Sequence, residues 1–159
     1  MQKTVLGIFF MMAMQIATAA CIDPPAAKVD WYLCVKNNEI FRDGQTLSSS
    51  NLQSISLNRA QLRFANLAGS NLSSAHISEA NLIGANLKQA VLARTILSRT
   101  VLYAADLTGA DLRGAKLDGT NLINARLTNA NLTGALWTDG KQVCSEGSIG
   151  MCKLSSLTK

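Results

Sequence analysis

The sequence predicts a solenoid, and three observations carry that prediction. Leucine, once replaced by isoleucine, holds every fifth position from Leu52 to Leu132 in one unbroken phase. A small residue stands two positions before nearly every one of these centres, and a glycine often stands two positions after. A period of five fits neither a helix at about 3.6 residues per turn nor a strand at about 2. It requires a unit that turns a corner every five residues, and units of that kind stack into a solenoid.

Residues 1–20 read as a leader. Lys3 gives a short positive start, Val5 to Met14 is an apolar run, and the small residues Ala17, Thr18, Ala19 and Ala20 follow. That order is a secretory signal peptide, with cleavage after Ala19 or Ala20. A membrane-spanning anchor needs roughly twenty apolar residues and does not find them. The alternative is lipoprotein processing at Cys21, for which Thr18 stands where Leu is usual. The chain is expected in the periplasm or outside the cell, with a lipid anchor on Cys21 as the second choice.

Residues 21–46 form an N-terminal capping segment that holds Cys21 and Cys34 and much of the aromatic content, in Trp31, Tyr32 and Phe41. A solenoid has raw ends that invite edge pairing, so these rings are expected to act as lids.

Residues 47–138 are the repeat region. Its centres are Leu52, Leu57, Leu62, Leu67, Leu72, Ile77, Leu82, Leu87, Leu92, Leu97, Leu102, Leu107, Leu112, Leu117, Leu122, Leu127 and Leu132, with Leu47 and Trp137 as outlying members. Small residues such as Ala60, Ala65, Ser70 and Thr95 stand two before them. Between the two sits a polar residue, often Asn or Asp, as in Asn66, Asn71, Asn86, Asp106 and Asp111. In an extended stretch the centre and the residue two before it point the same way. Leucine and alanine therefore face the axis and asparagine faces out. Each buried leucine contributes about 1.5–3 kcal/mol. Gly69, Gly84, Gly109, Gly114, Gly119 and Gly134 occupy the corner, where positive φ is cheap for glycine. Outward asparagines are expected to stack into ladders.

The unit A-N-L-x-x resembles the A-(D/N)-L-x-x motif of the pentapeptide repeat family over about residues 47–138. The resemblance implies an all-β fold, a right-handed quadrilateral parallel β-helix with four repeats per coil of about twenty residues and about four to five coils. It also raises a DNA-mimicking, gyrase-binding role, because some members protect gyrase from quinolones. DNA mimicry needs an acidic rod. This chain has fifteen basic and ten acidic residues, and without Lys3 its charge is still +4. The basic residues are scattered, with no nucleic-acid-binding arm.

Residues 139–159 are a C-terminal disulfide cap and tail. The stretch from Trp137 to Cys152 looks like the C-terminal caps of exported members of the same family. Four cysteines in an exported chain suggest disulfides. Pairings across the solenoid would span about 20 Å at about 4.8 Å per coil, whereas bridged Cα atoms lie within about 7 Å. Cys21–Cys34 and Cys144–Cys152 are the expected pairs. The same separation opposes a zinc site, and the lone His76 lies inside the repeats.

With coils of twenty residues, outward side chains fall in columns. Arg59, Glu79 and Arg99 alternate in sign along one corner, and Asp106 and Arg126 share another column. Their bland role is stacking, worth about 0.2–1 kcal/mol per exposed pair. The unusual column is Arg63, Ile83, Tyr103, Ile123, where Val101 also replaces the expected Asn or Asp. Val91 and Ile96 make the same replacement in the same coil. Ile83, Val91, Ile96, Val101, Tyr103 and Ile123 are the candidate interaction patch. No nucleophile and base converge, the leucine core leaves no pocket, and no cofactor or metal is expected. The chain is expected to be a structural or protein-interaction module rather than an enzyme, serving an unidentified protein partner or a homodimer.

Overall fold

The computed structural model describes residues 21–154. The leader read from residues 1–20 lies outside them. Among the described residues there is no helix, and the backbone repeats a bridge, a corner and a turn every five residues. Each unit makes a single parallel bridge to the unit twenty residues on, and four columns of bridges make four walls. Face 1 is bridged through Asn51, Asn71, Val91, Asp111 and Asn131. Face 2 is bridged through Ser56, His76, Ile96, Lys116 and Leu136. Face 3 runs through Gln61, Asn81, Val101 and Asn121, and face 4 through Thr46, Asn66, Asn86, Asp106 and Arg126.

The corner explains the period. The N–H of Ala60 donates to the Leu57 carbonyl at 3.1 Å and that of Ala65 to Leu62 at 3.1 Å, closing a β-turn at each centre. The third residue of each turn has positive φ, the mark of a type II turn. Gly69 (+64°) has it, and so do Arg59 (+60°), Phe64 (+54°) and Glu79 (+61°). All six corner glycines named from the sequence have positive φ, and other residue types adopt the same conformation at the remaining corners. One residue in the left-handed region costs about 1–2 kcal/mol, and the ladders on both sides hold it there.

The polar position before each centre has a separate cause. The ladder uses the N–H of the centre and of the corner residue, but not the N–H between them. Asn71 Oδ1 accepts that N–H from Ser73 at 3.1 Å, Asn86 from Lys88 at 3.2 Å, and Asp106 from Thr108 at 3.0 Å. Asparagine and aspartate recur because an acceptor two residues back completes the backbone account. Two amide ladders also form, Asn86 Nδ2 donating to Asn66 Oδ1 at 3.2 Å and Asn81 to Gln61 at 3.1 Å.

Inside, the centres from Leu52 to Leu117, and Leu132, are at most 2% exposed. Where threonine replaces the inward alanine, its hydroxyl donates to the coil below: Thr95 to Leu72, Thr100 to Ile77 and Thr120 to Leu97, each at 2.7 Å. These buried hydroxyls therefore leave no unpaired donor. Leu122 and Leu127, expected in the core, are only half-buried, because they lie at the last coil's open end.

The bridges begin before the repeat does. Asp30, Val35 and Ile40 pair with Asn51, Ser56 and Gln61, twenty-one residues on instead of twenty. The capping segment is itself a coil, entered one residue out of phase. Trp31, fully buried, and Phe41, 4% exposed, take inward positions with ring centroids 6.1 Å apart. Lys36 Nζ lies 4.4 Å from the Trp31 ring centroid and 3.5 Å from Glu39, placing charge over the end of the core. At the other end the chain reverses, and Ile149 and Val143 pair antiparallel with Asn131 and Leu136. The bonds Cys21–Cys34 and Cys144–Cys152 span Cα distances of 5.5 and 5.0 Å.

Candidate interaction surface

Face 3 gathers four of the six patch residues. Ile83, Tyr103 and Ile123 stand twenty residues apart on one wall, and Val101 bridges Asn81 and Asn121 beside them. Ile123 is 63% exposed and Tyr103 40%. Asn124 Nδ2 donates to the Tyr103 hydroxyl at 3.2 Å, steadying the ring across one coil step. The structure does not bring the other two to this wall. Val91 lies on face 1 and Ile96 on face 2.

What Val91, Ile96 and Val101 do share is a missing acceptor. Among the described residues the N–H groups of Ala93, Ser98 and Tyr103 find no partner, whereas Asn81 and Asn121 satisfy those of Ile83 and Ile123. Sequence reasoning missed Phe64. It is 49% exposed at the corner next to the Ile83 column. Its ring covers Gly84, where a Cβ would stand 2.5 Å from Phe64 Cδ1, and the Arg63 guanidinium lies 5.6 Å from its centroid. The available signal was an aromatic at a corner position with glycine twenty residues later.

Below Ile83 the column itself is charged, with Arg63 Nε 3.9 Å from Asp43, and the other ion pairs stand at corners and on neighbouring walls. Glu79 accepts from Arg59 Nε at 2.9 Å and Arg99 Nη2 at 2.8 Å, and the Arg59 hydrogen bond leads in holding its carboxyl below its ordinary pKa. Asp111 is lowered chiefly by its hydrogen bond from Arg113. Burial pushes Asp106 up, but hydrogen bonds from Thr108 and Lys88 outweigh it and the net direction is down. Lys88 Nζ is 3.4 Å from Asp106, closer than Arg126 at 3.9 Å, so the expected Asp106–Arg126 column pair is the weaker contact.

His76 is exposed on face 2, in an open recess of about 400 Å³ shared with Asn37, Asn58 and Glu79. Asp106 and Asp111 stand on adjacent walls. Among the described residues no three His, Cys, Asp or Glu side chains are placed to hold a metal ion, and no helix is long and apolar enough to cross a membrane. The Cys21 sulfur is committed to Cys34, and a thioether-linked lipid would need the same atom.

Four walls bridged at intervals of twenty residues around a leucine axis define a right-handed quadrilateral β-helix. The family model for pentapeptide repeats matches in eight copies over residues 46–78, 55–94, 75–114 and 105–135. The chain belongs to the pentapeptide repeat family. Among solved structures it is similar to HetL, a pentapeptide repeat protein involved in heterocyst differentiation regulation from the cyanobacterium Nostoc sp. strain PCC 7120, with 30% identity and a TM-score of 0.58 over 71% of this chain and 51% of HetL. The chain thus spans about half of HetL's length. A pentapeptide repeat protein of the Arabidopsis thaliana thylakoid lumen is 28% identical, with a TM-score of 0.44 over 64% of this chain and 66% of that one. The plasmid-mediated fluoroquinolone resistance protein QnrB1 is 18% identical, with a TM-score of 0.39 over 70% and 60%. No protein of curated function matches the chain.

Proposed function

We propose that this chain is an exported, non-catalytic interaction module that docks a protein partner on face 3. The observation that supports this is the Ile83–Tyr103–Ile123 column with Val101 and Phe64 beside it. Large apolar side chains gather there at outward positions that the repeat mostly gives to polar or small residues. At Val101 the exchange also forfeits the acceptor for the Tyr103 N–H. The apolar side chains do not help an isolated rod in water and suit a wall that becomes covered, and the Tyr103 N–H is then open to an acceptor from the partner.

The two disulfides fit an oxidising compartment, and with the leader they support export to the periplasm or beyond. The Cys21–Cys34 bond speaks against a lipid anchor at Cys21. The net basic charge speaks against DNA mimicry, and the likeness to QnrB1 extends to the fold alone. In a Tyr103→Asp, Ile123→Asp double variant, self-association or partner pull-down is lost while the circular dichroism and melting curve stay those of the parent. Unchanged association in sedimentation and pull-down removes this reading.

A further inference from the structure

We infer that the C-terminal edge of face 3 accepts an extended strand of the docked partner, added antiparallel to the sheet; this rests on the face-3 reading above.

The last coil is closed over only two of its walls. On faces 1 and 2 the chain's own returning strand completes the ladder: Leu132 N donates to Ser148 O at 2.8 Å, Gly150 N to Ala130 O at 2.8 Å, and Cys144 N to Ala135 O at 2.9 Å. Inward, that strand places Ser148 and Cys144, at most 1% exposed, over the core. Face 3 offers the same pattern of groups with nothing paired to it. One coil lower, Leu102 N reaches Asn121 O at 2.9 Å, Ala104 N reaches Ile123 O at 3.0 Å, and Thr100 O accepts from Asn121 N at 3.0 Å. Among the described residues the equivalents on the last coil, Leu122 N, Asn124 N and Thr120 O, have no partner.

The side chains agree with the backbone. Leu102 is fully buried, whereas Leu122 is half-buried. It lines an open recess of about 620 Å³ with Ile123 and Trp137. An edge with free donors and an acceptor recruits an extended backbone, and a recess beside it selects an alternate side chain. The returning strand on faces 1 and 2 shows the form the occupant takes: antiparallel, with a small or apolar residue turned to the axis. The recess shares Ile123 with the apolar wall, so one partner covers both.

Hydrogen exchange on the full mature chain, with and without a synthetic peptide of the sequence of residues 145–150, reads the edge directly. The amides of Leu122 and Asn124 are expected to exchange freely in the chain alone at every concentration. They should slow by about tenfold with saturating peptide, while Leu102 and Ala104 do not change. Protection that appears only at high protein concentration assigns the edge to a second copy, and protection at every concentration assigns it to the chain's own residues beyond Leu154. Either result overturns the inference, as does a peptide that leaves both amides unchanged. A Leu122→Pro variant removes a donor that the fold does not use and follows a residue already extended. Once the true partner is in hand, Leu122→Pro should weaken its capture by about tenfold or more. Full capture by Leu122→Pro, with loss in the Tyr103→Asp, Ile123→Asp variant, sinks the edge and spares the wall. Full capture by both sinks the wall itself.

Discussion

At an outward position, valine in place of asparagine changes two quantities at once. The Asn81 and Asn121 side chains accept the N–H two residues on, at 3.2 and 3.0 Å, and the Val101 side chain between them accepts nothing. Val101→Asn should return an acceptor to Tyr103 N and extend the amide stack. A net intramolecular hydrogen bond is worth about 0.5–1.5 kcal/mol. The variant is therefore expected to unfold at higher denaturant, with an unchanged m-value, and to bind the face-3 partner less well. A stability gain without any loss of binding shows that Val101 is not part of the docking wall. Gly84→Ala tests the neighbouring corner. Its φ of +63° costs a side chain about 1–2 kcal/mol, and its Cβ would meet the Phe64 ring at 2.5 Å. Because Phe64 is half-exposed, the ring can swing aside. In a Phe64→Ala background only the backbone part of the cost should remain, so a double-mutant cycle by denaturant melts should show positive coupling.

The elements at the two ends obey different rules from the coils between them. The N-terminal coil was legible in composition but not in register. Its inward residues, Trp31, Lys36 and Phe41, are not leucines, and a single extra residue between Phe41 and Leu47 breaks the phase. A strict five-residue template stops there, although the wall continues. The C-terminal cap was legible as a disulfide loop, but its antiparallel return was not, because nothing periodic announces it. Cys144–Cys152 closes that return. In chain-entropy terms a loop of this length contributes about 2–3 kcal/mol. Its removal should act locally, since each coil leans only on its neighbours. In a Cys144→Ala, Cys152→Ser variant, the amides of Leu132 and Gly134, which donate to Ser148 O and Cys144 O, should lose exchange protection first. Those of Leu72 and Leu87 should keep theirs. Uniform loss along the rod contradicts nearest-neighbour stacking.

Across the whole molecule, the axis was legible because one residue type repeats in one phase, and the burial of Leu52 to Leu117 follows from that alone. The proposed docking wall was legible only in part. Columns can be written from the spacing, which placed Ile83, Tyr103 and Ile123 together, but the fate of an unpaired N–H or of a ring over a glycine needs coordinates. The corner column of Arg59, Glu79 and Arg99 was legible from the spacing, whereas Lys88–Asp106 and Arg113–Asp111 were not, and together these carboxylates and Asp139 set the response of the rod to acid. Glu79, Asp106, Asp111 and Asp139 all have folded pKa values below their ordinary ones. A carboxylate with a lowered folded pKa stabilises the fold above its unfolded pKa, and that contribution fades as pH falls through the folded value. The melting temperature should thus hold from about pH 7 to about pH 5 and decline below about pH 4, where carboxylates begin to protonate. Glu79→Gln removes the hub between Arg59 and Arg99 and should lower the melting temperature at about pH 7, more at low salt than at high because the pair is exposed. As Glu79 itself becomes neutral in acid, the parent and variant curves should converge. Parallel curves down to about pH 2 mean that the column of alternating charge contributes nothing to holding the coils in register.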